Sequence, residues 1–509
     1  MQVGFKALAE RYRIALVQPL RVESVIGTTR MSHESNGHVE RKYPASYQPA
    51  DDFAGHFEFG LKYEDIHLEF FARLFASVGP APIEAWCRRS PFGQYARRTG
   101  FLYEWLTGKP LDVPDVTNGG YVDALSAQQY LTRVEPLRVR RWRINDNLPG
   151  VPAFSPLVRR TQAVQEALRF DLGAALRDLN QTFGADILVR TASWLTLKES
   201  RASFLIEREA DKADRIQRFA HVIAKYCGHI EDPLGDDSLR VLQAGILGHD
   251  ALGLGLRRSP VFVGQATLRE DIVHYIAPPF EMLVQLLDGL KAFELATRGA
   301  EPLARAAAIA FAFVYIHPMR DGNGRIHRFL INDTLIRDKA VPDGVILPIS
   351  ATIVSSIDFR ARYDRTLEVF SRPFMQRYTA SYRFGELVVY EDGTRSNLIF
   401  DDYDDAQFAW RYPDLTEHVL YTAQVVAHTV GTEMADEARV LVIFQRAQEQ
   451  LKEVLEMPDQ DANRIIRSLR ENGWQVSGKL KKAYPQLDDT HRAERVVQAV
   501  RSAFEEQTL

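Results

Sequence analysis

The chain of 509 residues is 46% hydrophobic and 26% charged, the balance of a water-soluble globular protein, and its length predicts two or three domains. A net charge of −4 gives no global basic field, so binding of nucleic acid by bulk electrostatics is not expected. No apolar run reaches the roughly 18 residues that span a bilayer, and the two cysteines, Cys87 and Cys227, make neither a disulfide framework nor a metal pattern, which predicts a reducing, cytoplasmic setting.

In chain order, Glu10 and Arg13 before a short Ile14–Val17 run make a poor secretory signal. The polar residues between Arg30 and Tyr43 predict a loop. From Tyr63 to Val78, Ile66, Phe70, Phe71 and Leu74 share one face of an amphipathic helix. An aromatic-rich helical region continues through Trp86, Phe101 and Trp105 to a Gly/Pro-rich stretch at 108–120. The basic cluster Arg138–Arg143 alternates with Val139 and Trp142 as a strand or packed edge does, and 145–150 reads as a turn or linker. These residues are expected to form an N-terminal domain, 1–150, of unassigned role.

Residues 155–375 read as mostly helical. Within them, 261–263 and 272–276 are β-rich runs joined by a polar loop, Pro278 and Pro279 break the second, and 280–293 has helical periodicity. An apolar run, 306–316, predicts a buried helix that Pro318 ends near His317. Beyond them, Leu387–Thr394 predicts a small hairpin turning at Asp392-Gly393. Residues 380–509 are expected to form a helical C-terminal domain, with a winged-helix-like module as one form of it. Lys479, Lys481 and Lys482 are too few to establish a DNA reader there, although a nucleic-acid role for this region stays open. No G-x-x-x-x-G-K-[ST] loop and no internal repeat is present.

The most informative segment is His317-Pro-Met-Arg-Asp-Gly-Asn-Gly-Arg-Ile-His-Arg328. Gly322, Asn323 and Gly324 all tolerate the positive φ of a tight turn, whose backbone N–H groups converge into an anion nest. A helix starting near Gly324 adds its free N–H groups and dipole. Arg325 and Arg328, three apart, then share a face near its start and suit bidentate contact with phosphate. Asp321 before a phosphate nest is consistent with a bridging Mg2+, which binds one or two carboxylates plus substrate phosphates. His317, at a buried helix end facing the nest, is placed as a general base. Taken singly, each element has a bland counterpart: a capping histidine, an ordinary turn, a solvated Arg-x-x-Arg face. Their joint occurrence in order favours a functional site. His317, Asp321 and His327 do not have zinc spacing.

This segment resembles the signature of the Fic (filamentation induced by cAMP) family, His-Pro-Phe-x-Asp/Glu-Gly-Asn-Gly-Arg-x-x-Arg, with Met319 where Phe is usual. The expected fold class is therefore mainly α: a helical Fic core (155–375) with a β-hairpin flap, between a mostly helical N-terminal domain and the C-terminal helical region. Arg257–Gly264 resembles the first flap strand and His274–Pro279 the return strand, so that Val261, Phe262, Val263 and Gly264 would position a target segment, with the flap at about 257–279. Ser203-Phe-Leu-Ile-Glu207 resembles the family's inhibitory motif, Ser/Thr-x-x-x-Glu-Gly/Asn, on a helix at about 196–209. Arg208 stands where Gly or Asn is expected. A surface glutamate in a charged helix is the plain alternative.

The resemblance implies transfer of AMP from ATP to a Ser, Thr or Tyr hydroxyl of a protein. His317 would deprotonate the hydroxyl and Asp321 would hold Mg2+. Gly322, Asn323, Gly324 and Arg325 would cradle the phosphates, Arg328 would grip the γ-phosphate, and Ser203 with Glu207 would hold the site inhibited. Gly324, where kinase-like Doc relatives depart from the pattern, favours nucleotidyl transfer. Two alternatives remain: removal of AMP, alone or alongside transfer, at the same site, and a nucleotide-sensing protein with little turnover. The expected partners are a protein substrate, the chain itself through self-modification and a second copy in a homodimer, without a membrane.

Overall fold

The computed structural model describes residues 1–505 except 36, 185, 210, 252 and 267–270. Helices dominate, and the strands form small sheets of two to four strands. The mainly α class is therefore observed.

The polar stretch expected as a loop is instead part of a sheet. Strand Val22–Gly27 runs antiparallel to Gln2–Val3 and parallel to His38–Pro44, and Met31–Ser35 pairs with the outer edge of the latter. Only Val39 and Tyr43 of the outer two strands are buried, and all of Met31–Ser35 is exposed. Backbone pairing of a polar edge strand leaves no period-two apolar pattern to read. The helix expected over 63–78 is also interrupted. Glu64 ends the helix Phe53–Tyr63, its buried carboxylate accepting from Phe5 N at 2.7 Å, and His67 Nδ1 caps the next helix, Leu68–Val78, at Phe70 N. The stretch expected as a turn or linker, 145–150, is buried from Asp146 onward, with Asn147 bonded through its amide to both Leu125 N and O at 2.8 Å.

Three main cores follow. Phe5, Phe57, Phe70, Phe71 and Phe75 centre the first, within residues 5–157 plus Tyr412. The second is wound around the helix Pro302–Ile316, in which all but Pro302 and Val314 are buried, as an all-round apolar helix must be. It takes in residues as late as Ala438, including the hairpin of strands Tyr382–Val389 and Arg395–Phe400. The third, from Ala447 to Ala503, is built by helices alone among the described residues, with no strand to form a wing. No helix of the described residues is long and apolar enough to cross a membrane.

Helix Thr416–His428 runs through a π-helical stretch, Thr429–Met434, into helix Ala435–Val454, joining the second core to the third. The first and second cores are joined by Arg73, which is 7% exposed and donates to Glu69 (2.9 Å), Asp405 (2.6 Å) and Tyr378 OH (3.1 Å). Replacing it by Met strands the Glu69 carboxylate, itself 1% exposed. Arg73→Met is expected to cost about 3–5 kcal/mol in denaturant unfolding, as for other half-removed buried ion pairs.

Candidate functional site

His317 is the C-cap of the Pro302–Ile316 helix and adopts left-handed backbone angles, φ 50° and ψ 56°. For a non-glycine residue this costs about 1–2 kcal/mol, so the surroundings must hold it. Its Nδ1 lies 3.2 Å from Val314 O. A carbonyl only accepts, so Nδ1 carries the proton and Nε2 is left with the lone pair. Burial of the ring, then the nearby Arg257 charge, push its pKa down to about 4, so the ring is neutral at physiological pH.

The loop after His317 is closed on itself. Asn323 is 2% exposed, its Oδ1 accepts from Met319 N at 3.0 Å and its Nδ2 donates to Met319 O at 2.7 Å. Both ends of this amide are thus spent on bracing the loop. Met319 is fully buried, filling the Phe position as an apolar plug. From the other side Gln243, also fully buried, donates to Asp321 O (2.9 Å) and accepts from Gly255 N (2.7 Å). Nothing in the local pattern around Gln243 marks this role, because its partners are 12 and 78 residues away.

Gly322, at φ 93°, is the N-cap of the helix Asn323–Arg337. A Cβ on Gly324 would lie 2.3 Å from Glu207 Oε1, so a side chain here would push the Glu207 carboxylate away from the start of the helix. Arg328, 1% exposed, donates through Nη2 to that same oxygen at 2.8 Å and to Ser203 O at 3.1 Å, and through Nε to Ser203 Oγ at 2.9 Å. Desolvation alone would raise the Glu207 pKa. The Arg328 charge and hydrogen bond, with Arg325 and Arg360 farther out, outweigh it and hold the carboxyl below its usual range. Glu207 Oε2 has no hydrogen-bond partner among the described residues.

Arg325, 3% exposed, lies with its Cζ 4.9 Å over the Phe204 ring and pairs with two carboxylates: Asp321 at 3.0 Å and Glu209 at 2.5 Å. Glu209 was not singled out by the sequence, since it stands outside the Ser-x-x-x-Glu spacing. Asp321 keeps 53% of its side chain exposed. The described residues hold no cluster of three or more metal-ligating side chains. One accessible carboxylate beside an anion nest nevertheless fits Mg2+, which takes its remaining ligands from phosphates and water. His327 is buried against the Phe311 ring, 4.6 Å between centroids, on the core side of the helix.

Ser203 and Glu207 belong to the helix Ile187–Ile206 and its cap. Glu199, 3% exposed, fastens this helix to Ser350, whose N and Oγ donate to it at 2.7 and 2.5 Å. Arg208 takes φ 62°, Arg208 N donates to Leu205 O, and Glu209 N donates to Phe204 O. These two bonds make a Schellman ending with arginine in the left-handed position where glycine or asparagine is favoured. Arg360 completes the cap by donating to Ile206 O at 3.1 Å.

Residues 240–335 match the Fic/DOC family. The chain carries a Fic domain. A protein adenylyltransferase, fic-1, of Caenorhabditis briggsae is 26% identical over 229 residues, 44% of this chain and 36% of the relative. Its Caenorhabditis elegans counterpart is 31% identical over 159 residues, 30% of this chain and 27% of the relative. The chain thus spans about a third of the length of these relatives. Among solved structures, a Fic family protein from Desulfovibrio desulfuricans G20 aligns with 17% identity and a TM-score of 0.38, over 58% of this chain and 82% of that one.

The hairpin beside the Fic-domain motif pairs Phe262–Ala266 with Asp271–Ile276, its turn at 267–270 lying outside the described residues. Val261 precedes the first strand and accepts from Ala277 N at 3.1 Å. Phe262 faces Ile276 and packs on Phe384 of the later hairpin, Val263 faces Tyr275, and a register shift separates Val263 from Gly264. Asp392 of that later hairpin's turn accepts from Arg258 N (2.8 Å) and Ser259 Oγ (3.0 Å).

Relieving the left-handed arginine is expected to strengthen the end of the Ser203–Glu207 helix. Arg208→Gly should raise stability by about 1 kcal/mol in thermal unfolding, the strain relieved less the added entropy of glycine in the unfolded chain. A loss of stability would mean that the Arg208 side chain contributes more than its backbone costs.

Proposed function

We propose that the protein transfers AMP from Mg-ATP to a Ser, Thr or Tyr hydroxyl of a protein, itself included, and that its own Glu207 holds this activity down. One observation carries the reading: the Glu207 carboxylate lies at the start of the Asn323–Arg337 helix, on Arg328 and against Gly324, where an anion belongs. A γ-phosphate competing for Arg328 must displace it. Glu209, by occupying Arg325, adds a second carboxylate to the same closed arrangement.

With the nucleotide in place, the target hydroxyl oxygen attacks the α-phosphorus as its proton passes to His317 Nε2. The bond from that phosphorus to the bridging oxygen breaks, and pyrophosphate leaves with the electron pair. The backbone N–H groups of the nest, Arg325 and Arg328 offset the charge in the transition state. Asp321 would hold Mg2+, which supplies charge neutralisation at the phosphates.

A second reading concerns the same cleft. The partnerless Glu207 Oε2 is free to orient a water for removal of AMP from a modified protein. Incubation of a pre-modified target with the wild-type chain and with Glu207→Gly separates the two: AMP loss that needs Glu207 supports removal.

Label transfer from α-labelled ATP to proteins of a cell lysate tests the main reading. Glu207→Gly is expected to raise transfer about 5–150-fold, the span of a 1–3 kcal/mol coupling. Glu209→Gln should raise it less, about two- to fivefold, as for a partly exposed ion pair. His317→Ala in the Glu207→Gly background should lower it about 100-fold or more. No transfer by Glu207→Gly that still binds ATP would point to nucleotide sensing instead.

The pH dependence carries its own sign. A folded pKa below the ordinary value of about 6.5 keeps His317 an effective base as pH falls, until about 4. In Glu207→Gly, kcat/KM is therefore expected to fall along its His317-dependent acid limb only near pH 4. A limb near 6.5 would mean that the ring is solvated in the working enzyme.

A further inference from the structure

Arg257 is 2% exposed, and among the described residues no carboxylate lies within ion-pairing distance of it. Its guanidinium is held by backbone carbonyls alone: Nε donates to His317 O (2.8 Å), Nη1 to Ser259 O (2.9 Å) and Nη2 to Pro278 O (2.6 Å). Its own N–H donates to Pro318 O at 2.9 Å, next to an isolated bridge between Leu256 and Met319.

A buried cation without a counter-ion is costly and is tolerated only with its hydrogen bonds well satisfied. The three carbonyls are not equivalent places in the chain. Ser259 enters the Phe262–Ile276 hairpin, Pro278 leaves it, and His317 is the base in its left-handed conformation. One planar fork therefore ties both roots of the hairpin to the backbone of the histidine. A single-point ammonium cannot span three such directions. The nest has separate braces in Asn323 and Gln243, so the phosphate-binding part of the loop does not hang on Arg257.

We propose that Arg257 is a positioning residue that sets the target-aligning hairpin in register with His317. The inference rests on the AMP-transfer reading for its catalytic consequence, though not for the structural tie. The fork fixes the distance between the segment that holds the target hydroxyl and the base that takes its proton. A displacement of about 1 Å in such a pair is enough to lower a rate about 100-fold.

The test compares full-length Glu207→Gly with the same protein carrying Arg257→Gln or Arg257→Lys. Three quantities are read: amide hydrogen exchange in peptides covering 272–278 and 314–321, the Kd for ATP, and AMP transfer. For Arg257→Gln, exchange in both peptides should rise about tenfold or more. Transfer should fall about 100-fold, while the Kd moves by less than about threefold. Arg257→Lys keeps the charge and protects the fold if Gln does not. It should keep the parent's Tm within a few degrees while still losing register in exchange and transfer, which a purely structural cation would not. Unchanged exchange in either peptide overturns the proposal, as does an equal loss of ATP affinity and transfer. If the Glu207→Gly parent transfers no AMP, the AMP-transfer reading fails. The exchange measurement then still decides whether Arg257 ties the hairpin to His317.

Discussion

A guanidinium taken out of water must be met by acceptors on every side, and around Arg328 that demand organises the centre of the molecule. Ser203 offers a hydroxyl and a carbonyl, Glu207 a carboxylate and Tyr363 a more distant hydroxyl at 3.4 Å. Three of these acceptors come from one helix and its cap, so the charge on one element fixes where another element ends. Only the carboxylate is exchangeable for an anion of a ligand. The Ser203 contacts and Tyr363 keep Arg328 in place whichever anion it holds, so closed and open forms would differ at a few side chains rather than throughout the core.

How far the sequence discloses this depends on whether an interaction is local. The segment from His317 to Arg328 is legible because turn, nest and helix start are built from neighbours. The pairing of Ser203 and Glu207 with Arg328 is readable by resemblance, because one helical turn separates the two acceptors. Asn323 differs from expectation in a physical sense: its amide faces the loop backbone at Met319, so its part in the proposed phosphate site is to shape the nest. Gln243, Glu209 and Arg257 give no local signal at all. Apart from Ser259 beside Arg257, their partners lie far along the chain, and no periodicity records that. The polar strands of the first sheet are hidden for a related reason, since backbone pairing is indifferent to the side chains it carries.

Two of the seven non-glycine residues with left-handed angles among the described residues lie where the chemistry is proposed. His317 and Arg208 both hold left-handed angles without being glycine, one at the proposed base and one behind the Glu207 carboxylate. Each sits at the end of a well-anchored helix, Pro302–Ile316 deep in the second core and Ile187–Ile206 fastened by Glu199. Rigid helices therefore stabilise two unfavourable backbone positions, and these present the His317 ring and the Glu207 carboxylate to one cleft.

The carbonyl cage around Arg257 has a property that an ion pair would lack. Carboxylates lose their charge as a solution is acidified toward pH 4, and the contacts they make to arginine weaken with them. Peptide carbonyls do not titrate, and the guanidinium, its pKa lowered by burial to about 10, stays charged through all of that range. Salt screens such enclosed contacts little. The backbone of His317 is thus held by an anchor indifferent to acid over the same interval in which its ring stays neutral, so the placement of the proposed base and its protonation share one working range.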